Sequence, residues 1–386
     1  MIKLFNSLSS SKEYFEPFEK NIVRIFVCGP TLYDYTHLGH ARIFLTYDLL
    51  CRHLNQRGYL TNVLVNMTDI NQNVFRKAKE ESQDCHVLAR FYANKFAEDL
   101  TLLNIKSVNR LAYVSDYVSY IENHIANMMD KKAAYYANGN IYLDTSKVKT
   151  YGVLSKQSNK QLRLHRLDVG PNKKNPEDIM LWNCSEDFDF SWPSRFGRGI
   201  PWWHMQDTTV ALENFGTNYE IHGGARELLY PHHEAHLAQY DILSTSENPV
   251  KVWMHVGLVL SNGEKMSKSI GNVVWSRHLI QKYGQSLLRL YLFSKHYRED
   301  VIFEESQIVQ SKSLLDKVRF TGTKTSSRTD LNIYKLLEGL FDSLDDDLNS
   351  PRALEIFENI CTKTIEGSSL SHIDFERVCQ VLGITI

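Results

Sequence analysis

The sequence predicts an α/β protein: a parallel sheet split by an inserted domain and followed by a C-terminal helical bundle. Three observations carry that prediction. A strand, a helix and a second strand follow one another near the N-terminus. A stretch with hairpin and lysine-rich loop signals then interrupts the pattern, and strand-like runs return before a long helical tail.

Residues 21–28, NIVRIFVC, are rich in β-branched side chains and halt at Gly29-Pro30, which reads as a buried strand. From Leu38 to Asn55 apolar residues recur at helical spacing, and Gly58 follows as a stop signal. YLTNVLVN, residues 59–66, is a second strand. A strand–helix–strand unit of this kind builds a parallel sheet with a right-handed crossover. Residues 1–112 are therefore expected to form the first half of the sheet domain. Residues 113–200 form the insertion, because YYANGNIYLD sets Asn-Gly between two aromatic runs and the polar LDVGPNKKNPED follows. NYEIHGG and VKVWMHVGLVL restore the sheet within 201–302. Residues 303–386 are helical, with Ser350-Pro351 opening one helix as N-cap and first-turn proline.

With 386 residues, 43% apolar, the chain can bury a large core in two or three domains. A formal net charge of −1 excludes a global positive field for nucleic acid, though not a local basic groove. The six cysteines (Cys28, Cys51, Cys85, Cys184, Cys361, Cys379) show no C-x-x-C and no disulfide-like spacing, which suits a reducing compartment. No apolar run reaches the roughly 18 residues a membrane span needs, and no signal peptide opens the chain, so the expectation is a cytoplasmic monomer without membrane contact.

The loop after the first strand reads CGPTLYDYTHLGHAR. In a parallel sheet this is the expected ligand position, and a helix N-terminus there favours a phosphate. His37 and His40 flank Gly39, giving two donors beside a residue that lets a nucleotide approach. A second element, KMSKS at 265–269, places Lys265, Ser267, Lys268 and Ser269 in a glycine-bounded loop suited to clamp a departing pyrophosphate. A third, PHHEAH at 231–236, puts His232 and His236 four apart, on one face of a helix with His233 pointing elsewhere. That spacing fits a shared metal ion and equally a polar helix face with unrelated imidazoles.

His37-Leu38-Gly39-His40 with Lys265-Met266-Ser267-Lys268-Ser269 resembles the paired signature of class I aminoacyl-tRNA synthetases. Within that class the stretches NMTDINQNV, NPEDIMLWN, WHMQD, HGGARELLYPHHEAHLAQ, WMHVGLVLSNGEKMSKSIGN and LDDDLNSPRAL resemble the cysteinyl-tRNA synthetase family. The mycothiol-pathway cysteine ligase is similar to the same catalytic unit. The resemblance implies a Rossmann-like sheet and ATP with Mg²⁺ as substrate. It implies that His37, His40, Lys265 and Lys268 stabilise phosphates during adenylate formation. Gly29, Thr31, Gly39, Glu227, Ser267, Ser269 and the His222-Gly223-Gly224 loop would contact ATP. Tyr33, Thr68, Asp69 and Trp203 would meet the amino acid.

The family's zinc set maps onto Cys28, Asp207, His232 and His236, with Asp207 where a cysteine is expected and His236 where a glutamate is. Ligand charge falls to −2 from −3, which leaves a Zn²⁺ complex neutral. The harder donors leave serine or another small polar amino acid open beside cysteine. The other reading is that the metal is lost and these groups only hydrogen-bond. Asn71, Gln72 and Asn73 are neutral where the family has charge, Glu227 replaces an aspartate, and Ala225 replaces a third glycine.

About 35 residues follow Pro351, so the expectation is a shortened bundle without an anticodon-reading domain. The favoured reading is an amino-acid-activating ligase that passes its aminoacyl group to a small-molecule amine or carrier. A short cysteinyl-tRNA synthetase that charges tRNA is the second reading, and a catalytically silent nucleotide-binding paralogue the third.

Overall fold

The computed structural model describes the chain except residues 159–160, 163–172, 185–189, 247 and 267–270. An N-terminal hairpin, β1 (Lys3–Asn6) and β2 (Ser11–Tyr14), precedes the central sheet. That sheet contains β3 (Ile22–Val27), β4 (Leu60–Met67), β5 (Val108–Tyr113), β10 (Tyr219–Ala225) and β11 (Val250–Val256). Their spatial order is β11-β10-β3-β4-β5, and every pairing is parallel. Parallel strands are covered on both faces, which is why these sequences read as near-continuous apolar runs. Helix α1 (Leu38–Gln56) packs on one face and the helices Trp203–Phe215 and Glu234–Leu243 lie on the other.

Between β5 and β10 the chain forms a separate antiparallel sheet of β6 (Ala134–Ala137), β7 (Asn140–Leu143), β8 (Ile179–Asn183) and β9 (Ile200–Pro201). Asn138 and Gly139 join β6 to β7 with φ of 48° and 80°. Two successive positive φ values define the turn that Asn-Gly signals. Beyond β11, β12 (Val259–Ser261) pairs with β13 (Glu264–Lys265) and β14 (Val301–Phe303), and helices Lys312–Gly322, Leu331–Asp345, Ser350–Ile365 and His372–Leu382 complete the chain. The cap of helix Ser350–Ile365 differs from the expectation. Asn349 accepts from the Arg352 N–H at 3.2 Å, so the cap lies one residue earlier and Ser350 is already helical. Ser350 Oγ instead donates to Phe293 O at 2.9 Å.

A buried cation is among the groups that tie the helical tail to the sheet domain. Arg289 donates to Asp48 on α1 at 2.6 Å, to Leu103 O and Asn104 O at 2.9 and 2.8 Å, and to Leu382 O at 3.4 Å. Gly383, at φ +68°, is required there: a Cβ would sit 2.4 Å from Arg289 Nη1. Burial pushes the Asp48 carboxyl up, but the guanidiniums of Arg289 and Arg52 outweigh it and hold the group below the ordinary carboxylate range. Removing one member of a buried pair strands its partner. Asp48→Ala should therefore cost about 3–5 kcal/mol in urea unfolding. Because the folded pKa is depressed, this contribution is complete above the unfolded value of about 3.9 and is lost as pH falls through the folded one.

Candidate functional site

β10 lies beside β3, while β4 and β5 extend on one side of β3 and β11 on the far side of β10. The strand order therefore reverses between β3 and β10, and the crevice at their carboxyl ends is where such sheets bind ligands. The register aligns Ile221 with Ile25, His222 with Phe26 and Gly223 with Val27, and the Cys28 N–H donates to Gly223 O at 2.9 Å. Two glycines make the crevice possible. A Cβ on Gly29 would lie 1.8 Å from Asn66 O, and one on Gly223 would lie 2.1 Å from the Tyr47 hydroxyl.

His37 is the N-cap of α1. The Gly39 N–H donates to His37 Nδ1 at 3.1 Å, and the His37 N–H donates to His40 Nδ1 at 3.3 Å. Both Nδ1 atoms are thus acceptors, so each neutral ring carries its proton on Nε2 and offers a donor there. The segment after KMSKS zips onto this turn. Leu38 N–H donates to Val274 O at 2.8 Å, Ser276 N–H donates to Thr36 O at 3.2 Å, and His37 bridges Trp275. His37, Gly39, His40, Glu227, Lys265 and Met266 consequently line one cleft, in which Lys265 forms an ion pair with Glu227. Ser267, Lys268 and Ser269 lie outside the described residues.

On the other face of the crevice lies a buried polar cluster of eight side chains: Cys28, Asp207 and six histidines at 204, 222, 232, 233, 236 and 255. Sequence reasoning found half of it. His204, His233 and His255 were missed, and His222 was placed with the nucleotide. Strand alternation turns His222 away from the face of Gly223, so its ring meets Phe26, Cys28 and Tyr219 instead. His233 was expected to point away from His232 and His236. The kink at Tyr230 (φ −131°, ψ 133°) lies before both histidines, and on the helical turns that follow His233 stands three residues before His236, so its ring reaches the same cluster at 5.6 Å from that of His236.

The cluster divides into two sets that share Cys28. In one, His232 Nε2 is 3.0 Å from Asp207 Oδ2, with Cys28 beside them; in the other, Cys28 meets His222, His233 and His236. Asn66, also missed, holds the first set by donating to Asp207 Oδ1 at 2.8 Å while accepting from the Gly29 N–H at 2.7 Å. Burial drives His204, His222, His233 and His236 well below the ordinary imidazole range, and His255 to about 3. Burial, then the Asp207 charge, raises the Cys28 thiol. His236 Nε2 is buried without a hydrogen-bond partner. Neutral imidazoles, a thiol and a carboxylate converging with such an orphaned atom fit a zinc ion, and either set can supply its donors.

Thr31 and Thr68 form a bridge at the ends of β3 and β4. Asp69 is buried and receives both the Ser115 N–H at 3.0 Å and the Ser115 hydroxyl at 2.5 Å, so its carboxylate is engaged within the fold. Burial raises its pKa against those donors. Tyr33 is half-buried against the core. Trp203 stacks on His232 with ring centroids 4.6 Å apart and, with Thr31, Asn71, Gln72 and Asn73, lines a cavity of about 310 Å³.

Residues 14–313 match the family described as tRNA synthetases class I (C) catalytic domain. The chain belongs to that family. It is 36% identical to the Cysteine--tRNA ligase of Thermococcus onnurineus, with 92% of this chain and 79% of the relative aligned. It is 32% identical to the Cysteine--tRNA ligase of a Geobacillus species, covering 100% of this chain and 88% of the relative. In fold it is similar to Mycobacterium tuberculosis methionyl-tRNA synthetase in complex with methionyl-adenylate. That likeness has a TM-score of 0.67 at 14% identity, over 94% of this chain and 88% of that one. Membership makes the protein an ATP-dependent ligase that forms an aminoacyl-adenylate, and the silent-paralogue reading falls away. Among the described residues no helix is long and apolar enough to cross a membrane. Gly29→Ala should push Asn66 off Asp207 and displace the crevice wall; the expected result is a fall of ~100-fold in adenylate formation with the circular dichroism spectrum retained.

Proposed function

We propose that the protein activates cysteine with ATP and transfers the cysteinyl group to tRNA. The observation that carries the first step is the meeting of the His37–His40 turn with Lys265 and Met266 over one cleft at the sheet's switch point. An amino-acid carboxylate oxygen attacks the α-phosphorus, the bond to the bridging oxygen breaks, and pyrophosphate leaves. The Nε2 donors of His37 and His40 sit at the N-terminus of α1, where anionic charge is favoured. Lys265 supplies a cation on the opposite wall, and the reaction is driven by positioning and charge stabilisation without an enzyme nucleophile. Cys28, with Asp207 and His232 or with His222, His233 and His236, would hold a zinc ion, which would supply a fixed positive charge.

The identity of the relatives supports cysteine and tRNA as substrates, and favours tRNA over the small-molecule acceptor expected from the sequence. One observation keeps a small-molecule acceptor as a second reading. The cavity beside Trp203 is lined by the neutral side chains of Asn71, Gln72 and Asn73, which suit a compact polar amine as well as a ribose. Pyrophosphate exchange across the amino acids is expected to respond to cysteine, and His40→Ala should slow it ~100-fold. Cysteine should then appear on total tRNA. Exchange without tRNA charging would move the acceptor to the small-molecule reading, and exchange with no amino acid would overturn both.

A further inference from the structure

We propose a metal site one layer deeper than the set implied by the family: Cys28 Sγ, Nε2 of His222 and of His233, and a ring nitrogen of His236. It rests on the arrangement around Cys28, independently of the reaction proposed above. One donor atom from each residue lies within 4.8 Å of the others, and all four residues are buried. Cys28 Sγ is 3.1 Å from His233 Nε2 and 3.8 Å from His222 Nε2, which is itself 3.2 Å from His236 Nδ1. A tetrahedron with zinc–nitrogen bonds of about 2.0–2.1 Å and a zinc–sulfur bond of about 2.3 Å has edges of roughly 3.3–3.6 Å. The measured separations bracket that range.

The outer shell has the matching form. A ligating histidine normally bonds its second ring nitrogen to an outer partner, which fixes tautomer and orientation. His222 Nδ1 meets the Tyr219 hydroxyl at 2.5 Å, and that hydroxyl is 2.8 Å from the Tyr240 hydroxyl. His233 Nδ1 meets His255 Nε2 at 2.8 Å, and His255 Nδ1 meets Ser7 Oγ at 2.7 Å. Both chains turn Nε2 toward Cys28.

The alternative set is weaker: of the four residues the family implies, Cys28, Asp207 and His232 bring donors within reach of one another, and His236 falls in the other group. Charge gives Asp207 another task. A zinc ion with one thiolate and three neutral imidazoles keeps a net +1, and the carboxylate beside Cys28 neutralises it where unpaired buried charge is costly. With four protein donors the ion is closed and structural. It braces the pocket wall that carries His232 and Trp203.

Anomalous diffraction at the zinc edge, on wild-type crystals grown with zinc, tests the position directly. The peak is expected among Cys28, His222, His233 and His236; a peak between Asp207 and His232, or none, overturns the proposal. Metal content and the cobalt spectrum of variants give a second readout. His233→Ala should lose zinc and the thiolate-to-cobalt band, while Asp207→Asn retains both. Loss in Asp207→Asn with retention in His233→Ala would reverse the assignment. Cysteine-dependent pyrophosphate exchange, measured separately, reports on the reaction and not on this site.

Discussion

The site depends on the pairing of β10 with β3. Those strands are almost two hundred residues apart in the chain, and hydrogen bonds between them, ending with Cys28 N–H to Gly223 O, close the loop that contains the inserted sheet. Loop closure costs entropy that grows only slowly with length, so the insertion is tolerated provided its ends are fixed. The fixing is mutual. β3 carries the His37–His40 turn at its carboxyl end, β10 carries the Glu227 turn and leads to the His232–His236 segment, and neither forms a pocket alone. Arg42 extends the clamp from α1 across the loops beyond β11, donating to Leu258 O and His296 O at 2.9 Å each.

The face opposite α1 is an unusual core. Six imidazoles, a thiol and a carboxylate occupy space that elsewhere in the sheet is filled by Ile, Val and Met. Burial keeps the rings of His204, His222, His233, His236 and His255 neutral, and each neutral imidazole brings one donor and one acceptor that must both be matched. Most ring nitrogens are matched among themselves, as in His204 Nδ1 with His232 Nδ1 at 2.8 Å, and through Tyr219, Ser7 and Asp207, while Nε2 of His204 and of His236 have no partner. A network of this sort specifies one arrangement, because moving any ring leaves a neighbour unsatisfied in a medium where that is costly. Stacking adds to it: His222 lies against Trp253 at 4.5 Å and Trp203 against His232 at 4.6 Å.

Local signals made much of the fold legible. The β3–α1–β4 unit, the Asn138-Gly139 hairpin and the helical tail follow from period, breakers and turn chemistry, all of which act within a few residues. The two loop motifs were legible for the same reason. The histidine cluster was legible only in part, since its members come from β10, β11 and three other segments, and spacing cannot show which face a strand presents. His255 alternates correctly with Trp253 on β11, a signal that was available. His233 was recoverable from period, because it stands three residues before His236 and such positions are neighbours on a helix. Asn66 is an unremarkable residue in a strand, and the approach of Gly29 and of Asp207 from distant segments gives it work.

The choice of histidine at the start of α1 has its own logic. A serine or aspartate would cap the helix through its oxygen and have little left to offer, whereas an imidazole has two nitrogens on opposite sides of the ring. Here Nδ1 of His37 and of His40 take the backbone N–H groups, which fixes each ring's plane and places its proton on Nε2. One residue therefore both terminates the helix and aims a donor beyond it. The rings lie 3.9 Å apart, so the two imidazoles stand as a pair at the mouth of the turn. Gly39 between them leaves room for the first ring: a Cβ there would stand 2.8 Å from His37 Cε1 and 2.9 Å from its Nδ1, while Met266 Cε, at 3.5 Å, is at ordinary contact distance. A larger residue at 39 would push the His37 ring off the N–H it caps before it disturbed the neighbouring motif.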